Sequence, residues 1–186
     1  SRFARGGAVV TGIDISPRAI QLATNNFAQR GLDGEFHVMD GERLEFPDES
    51  FDVVYCHTVL HFTSDPARMV REIHRVLKGD GVAILMTVNR RSWMNWLRHV
   101  MKVDIDHLDS PVFRHMTIAE FGGILQPFDS VEMTPERFPV PTKVHGGIKA
   151  LVYNKIFVGL FNAMPLSWRR GTGHHLLAYC RKCEGS

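Results

Sequence analysis

The sequence predicts an α/β fold: a doubly wound, mostly parallel sheet whose last strand runs antiparallel. Three observations predict it. Short β-branched runs alternate with segments of helical period over the first half of the chain. Two of the helical segments open on the same signal, a capping side chain followed by proline, at Ser16-Pro17 and Asp65-Pro66. The connections between these pieces are short, as crossovers that return directly to one sheet require.

Taken in order, residues 8–15 are a β-branched run ending at Asp14, and Ser16-Pro17 then starts a helix with Ile20, Ala23 and Phe27 on one face and Gly31 at its close. Residues 35–39 form a second strand and 51–56 a third, the latter apolar on both faces, as a covered strand should be. From Asp65-Pro66 a helix carries the stripe Met69, Val70, Ile73, Val76 and Leu77 up to Gly79, and residues 81–88 are a fourth strand. Trp93, Trp96, Leu97, Val100 and Met101 fall at helical spacing. Thr117 with Glu120 forms a capping box for a helix bearing Phe121 and Leu125. Val131 and Met133 alternate as a strand, Pro135, Pro139 and Pro141 mark a loop, 148–164 reads as helix, and 175–181 as the final strand.

At 186 residues and 44% hydrophobic, the chain is sized for one domain, 1–186, with its own core. A formal charge of +2 gives no field that argues for nucleic acid as the main partner. Cys56, Cys180 and Cys183 are too few for a disulfide framework, which points to a reducing, cytoplasmic setting. The most apolar stretch, 150–166, is interrupted by Asn154, Lys155 and Asn162, so no transmembrane segment is expected.

Ligands of doubly wound sheets sit beyond the carboxyl ends of the strands. Asp14 ends the first strand in Gly12-Ile13-Asp14-Ile15-Ser16, where its carboxylate can accept both hydroxyls of a ribose. Asp40 ends the second in Met39-Asp40-Gly41-Glu42, where it can accept from an adenine amino group while Gly41 lets the backbone approach closely. The third ends at Cys56-His57-Thr58 and leads to Leu60 and His61.

These segments, with Phe51-Asp52-Val53-Val54 and the run Arg71-Glu72-Ile73-His74-Arg75-Val76-Leu77-Lys78-Gly79-Asp80-Gly81, resemble successive motifs of the class I S-adenosylmethionine-dependent methyltransferases. The resemblance is to the bacterial small-molecule branch similar to quinone-biosynthesis methyltransferases, and it runs over roughly residues 5 to 90. It implies a Rossmann-like methyltransferase fold, S-adenosyl-L-methionine as cofactor and a small-molecule acceptor. The cofactor-binding residues it implies are Asp14, Ile15, Asp40, Gly41, Glu42 and His57. His61 or His57 would serve as base if the acceptor is a phenol or amine. The family's acidic residue and glycine-rich turn after the first strand have no counterpart. Ser1 to Gly7 instead matches the end of the helix that follows that turn, so the expectation is an N-terminally incomplete domain, with roughly 40 to 60 further residues encoded upstream. Segments 90–116 and 139–165 are expected to cover the substrate, and the reading leaves room for a homodimer.

Plainer readings compete for several residues. His57 and His61 lie four apart, yet no clear third ligand accompanies them, so no metal is expected. Cys180-Arg181-Lys182-Cys183 lacks the strand-to-helix setting of a redox motif. Arg90, Arg91, Trp93, Trp96 and Arg98 fit a lid helix better than an RNA surface. The 148–164 helix does not divide into a cationic and an apolar face, which makes membrane binding the least supported of its roles. The rival functions are a NAD-dependent oxidoreductase, opposed by Asp40-Gly41 and the antiparallel ending, and a non-catalytic scaffold on the same fold.

Overall fold

A computed structural model describes residues 1–101, 113–141 and 151–183. The strands form two ladders. The first pairs β1 (Thr11–Asp14) with β2 (Glu35–Val38) in parallel, Asp14 opposite Val38. The second runs in the order β3 (Phe51–Cys56), β4 (Leu77–Val88), β6 (His175–Arg181), β5 (Ser130–Glu136). β3 and β4 are parallel, whereas β6 runs antiparallel to both its neighbours. The ladder between β3 and β4 shifts register after Phe51–Leu77 and becomes continuous from Val53–Val82 onward. The regular part of β4 is therefore the stretch the sequence assigns to it. Among the described residues, β1 and β3 are each paired on one side only.

The helices start where their caps dictate. Ser16 Oγ accepts from the Ala19 amide at 3.3 Å ahead of α2 (Pro17–Gln29), and Asp65 Oδ1 accepts from the Arg68 amide at 2.9 Å ahead of α3 (Pro66–Val76). Each begins with its proline, whose missing N–H is one of the unpaired donors of a first turn anyway. The capping box of α5 (Ile118–Ile124) is complete, with Glu120 and Thr117 exchanging hydrogen bonds. A short helix, α1 (Arg2–Arg5), precedes β1, and its Phe3 sits edge-on to Tyr55 of β3.

The core lies between the four-stranded sheet, α3 and α5. Val70, Leu77, Leu85, Phe121, Leu125 and Leu176 are fully inaccessible there. Each such side chain contributes about 1.5–3 kcal/mol by leaving water. All five apolar residues that the sequence assigns to the α3 stripe are buried.

One expectation needs correction. Pro135 belongs to β5, opposite Leu176, rather than to a loop. β5 is an edge strand paired only with β6, and an edge tolerates a residue without an N–H where its donor side faces away from the ladder. After residue 150 the chain runs through a π-helical segment, Val152–Phe157, into helix Val158–Ala163 and the short helix Leu166–Arg169. Helix α4 (Trp93–Met101) packs against this region, Trp93 and Trp96 lying 5.8 and 6.2 Å from the Phe157 ring. The two expected cover segments thus touch each other. Their portions at 102–112 and 142–150, and the side chains of Val100 and Met101, lie outside the described residues.

Candidate active site

A cavity of about 480 Å³ opens between β1 and β3, beyond and between their facing edges. Thr11 to Ile15 line one wall and Val53 to Cys56 the other. Met39 to Glu42, following β2, and Val59 and Phe62 to Ser64, following β3, complete it toward the carboxyl ends.

Asp14 and Asp40 stand at the ends of the paired strands β1 and β2 in the same local arrangement. Oδ1 of Asp14 accepts from the Ser16 amide at 2.8 Å, and Oδ1 of Asp40 accepts from the Glu42 amide at 2.9 Å. Each turn fixes one carboxylate oxygen and orients the other. The Met39 amide donates to the Asp14 carbonyl, so the two turns emerge side by side. Ile15, 72% exposed, presents apolar surface beside them.

Glu42 has a structural duty. Its Oε1 accepts from the amides of Ser64 and Asp65 at 2.6 and 3.0 Å, holding the segment after β3 against the cavity rim. Gly41 faces Met69, whose Cε would lie 2.6 Å from an added Cβ.

The sequence reading missed a second positioning network. Arg75 donates to both oxygens of Glu72, to Asp48, and to the carbonyls of Leu44 and Phe46, while Glu72 Oε2 also accepts from the Leu44 amide. It clamps the loop that brings Leu44 and Phe46 to the cavity. The Arg75 hydrogen bonds hold the Glu72 carboxyl below its usual range, and Glu72 and Asp48 in turn raise the guanidinium. The available signal was an acid and a base three apart on a predicted helix.

His57 and His61 lie off the cavity lining. Between them the backbone at Thr58 takes φ +64, a conformation rare for a β-branched residue. Val59 and Phe62, beyond it, line the cavity. His57 instead stacks on Tyr55 at 5.6 Å and sits edge-on to His175 at 6.1 Å. His61 is 3% exposed, packed on Phe62 and Phe113, with Nδ1 buried and without a hydrogen-bond partner among the described residues. Burial, reinforced by His115, His175 and His57, lowers its pKa to about 4. His174 and His175 are lowered to about 4 as well, mainly by burial, so all three are neutral at pH 7. No group of three metal-ligating side chains occurs among the described residues.

Comparison with known proteins shows what this chain is similar to. A family model described as a methyltransferase domain matches residues 1–85. Over 88 residues the chain is 33% identical to a ubiquinone biosynthesis O-methyltransferase of Coxiella burnetii, a match covering 47% of this chain and 38% of that protein. The chain therefore spans well under half the length of that curated relative. The crystal structure of the YcgJ protein of Bacillus subtilis superposes with a TM-score of 0.64 at 21% identity, covering 95% of this chain and 83% of that one. The [4+2]-cyclase SpnF superposes with a TM-score of 0.61 at 21% identity, covering 99% and 70%. Residues 1–85 are thus similar to a methyltransferase domain, and the described chain shares the α/β fold of the superposed proteins.

Proposed function

We propose that this chain binds S-adenosyl-L-methionine in the cavity between β1 and β3, at the carboxyl ends of β1 and β2, and transfers its methyl group to a small-molecule acceptor. The observation that carries the reading is the pair of aspartates at neighbouring strand ends, each with one oxygen tied into a turn and the other left to a ligand. Asp14 would accept from the ribose hydroxyls and Asp40 from the adenine amino group, with Ile15 against the adenine face and Gly41 allowing close backbone approach. Glu42 would contribute through the oxygen that Ser64 and Asp65 do not use. The cavity's size and its mix of apolar wall and paired carboxylates fit a nucleoside.

The bound cofactor would supply a methyl group on a sulfonium, a centre already activated for departure. The chain's own part is then to orient and to exclude water, which is why no nucleophile is required. Buried off the cavity lining and with a pKa of about 4, His61 is poorly suited to remove the acceptor's proton. His57, at the end of β3, remains the candidate for the methionine side and for the base. The similarity to an O-methyltransferase of ubiquinone biosynthesis supports an oxygen acceptor of the quinone-precursor kind. We read the protein as acting in the cytoplasm without nucleic acid, with α4 and the region after residue 150 covering the acceptor.

Calorimetry with S-adenosylhomocysteine tests the assignment. Asp14→Ala should weaken binding by roughly 1.5–3 kcal/mol, the scale of lost hydrogen bonds to a charged group. Unchanged affinity in this variant and in Asp40→Ala would remove the reading. A role without methyl transfer is the competing reading, since a [4+2]-cyclase shares this fold. Transfer of labelled methyl into an acceptor separates the two.

A further inference from the structure

The helical region after residue 150 is apolar on two opposite sides. Its inner side carries Val158 and Phe161, 3% and 4% exposed, and Phe157 stacked toward Trp93 and Trp96. Its outer side carries Val152, Ile156 and Leu160, spaced four apart and 41%, 53% and 67% exposed. Beyond the turn at Pro165, Leu166 and Trp168 are 61% and 72% exposed. A helix with apolar residues on two opposite sides is normally covered on both, and exposed large apolar side chains clustered in one short stretch mark a contact surface.

Charge decides what covers it. From residue 151 to residue 170 the basic residues are Lys155, Arg169 and Arg170, and the stretch holds no Asp or Glu. Lys155 is exposed beside Ile156, and Arg169 and Arg170 follow Trp168 directly. A second copy docking face to face would bring two such cationic stretches together, which like-charge repulsion opposes. An anionic lipid surface satisfies both features: the apolar side chains enter the acyl boundary, Trp168 sits at headgroup depth, and the basic residues meet the phosphates. No helix among the described residues is long and apolar enough to cross a membrane, so the contact is with the surface. The sequence pattern alone argued the other way, because it does not reveal that the inner apolar face is already occupied by α4.

We propose that the face formed by Val152, Ile156, Leu160, Leu166 and Trp168 docks on an anionic bilayer surface. The proposal does not depend on the reaction catalysed. Its test is co-sedimentation of the chain with large unilamellar vesicles of phosphatidylglycerol mixed with phosphatidylcholine, against phosphatidylcholine alone. Binding is expected only to the anionic vesicles, falling as salt is raised. Lys155→Glu should weaken it by roughly tenfold or more, since one attractive charge is replaced by a repelled one. Ile156→Ser combined with Leu160→Ser should reduce it further. In the unaltered protein, tryptophan emission should be quenched by brominated lipid, a readout that requires no variant. Equal binding to neutral vesicles, absence of binding, or absence of quenching would overturn the proposal. So would a concentration-dependent dimer abolished by the same serine substitutions, which would assign the face to a second copy.

Discussion

The two ladders of this protein are packed very differently. The two-stranded ladder and its helix, within residues 1–50, contribute a single buried apolar side chain, Phe27, which sits edge-on to Phe36 at 4.8 Å. The four-stranded ladder carries nearly all of the core, with α3 and α5 pressed against it. Yet the aspartates at the proposed cofactor site end the lightly packed strands. The difference teaches that the binding half is held by caps, turns and a few ring contacts, while the rigid half supplies stability and the opposite wall. Ligand binding should therefore act most on the half with least packing of its own.

The contrast can be broken by substitution. Phe121→Ala empties a fully inaccessible site of the four-stranded half and should cost about 3–5 kcal/mol, whereas Phe27→Ala should cost clearly less, about 2 kcal/mol, because its surroundings can relax. Equal losses in urea denaturation would erase the distinction.

Acid should attack the well-packed half. His61, His174 and His175 have folded pKa values near 4, against an ordinary 6.5 when unfolded. The unfolded chain therefore binds more protons between these values. The stability associated with the neutral rings is fully present above pH 6.5 and is lost as pH falls toward 4. For the deeply buried His61 this amounts to about 3 kcal/mol. Unfolding midpoints should drop across this window, and His61→Leu should flatten part of the slope; a parallel slope in the variant would show that His61 does not contribute. Glu72 adds a second, lower window. Its depressed pKa stabilises the fold above its ordinary value of 4.5 and ceases to do so as pH falls below its folded value.

Hydrogen exchange sharpens the comparison. Amides of β1 and β2 should exchange faster than those of β4 and β6. At a hundredfold excess of S-adenosylhomocysteine over its Kd, global protection should rise by about 2.7 kcal/mol, with the largest local slowing at β1 and β2. Slowing confined to β4 and β6 would place the ligand elsewhere. The smallest effect is expected from Gly41→Ala. Its Cβ would meet the flexible tip of Met69 rather than backbone, so stability should change by less than about 1 kcal/mol even if cofactor affinity falls.

Much of this molecule was determined by the sequence alone. Ser16-Pro17, Asp65-Pro66 and Thr117 with Glu120 specify helix starts because capping is a contact between residues three apart. The stripe on α3 and the aspartates at the ends of β1 and β2 were legible for the same reason: period and order are local properties. Tertiary structure decided the rest. Only three-dimensional pairing shows Pro135 on an edge strand, and only the folded segment after β3 shows Phe62 lining the cavity while His57 and His61 lie off its lining. The clamp of Arg75 on residues 44 to 48 joins segments far apart in the chain. The outer apolar face at Ile156 and Leu160 becomes visible only once α4 has taken the inner one. A side chain's surroundings depend on long-range packing, which no spacing rule within one segment contains.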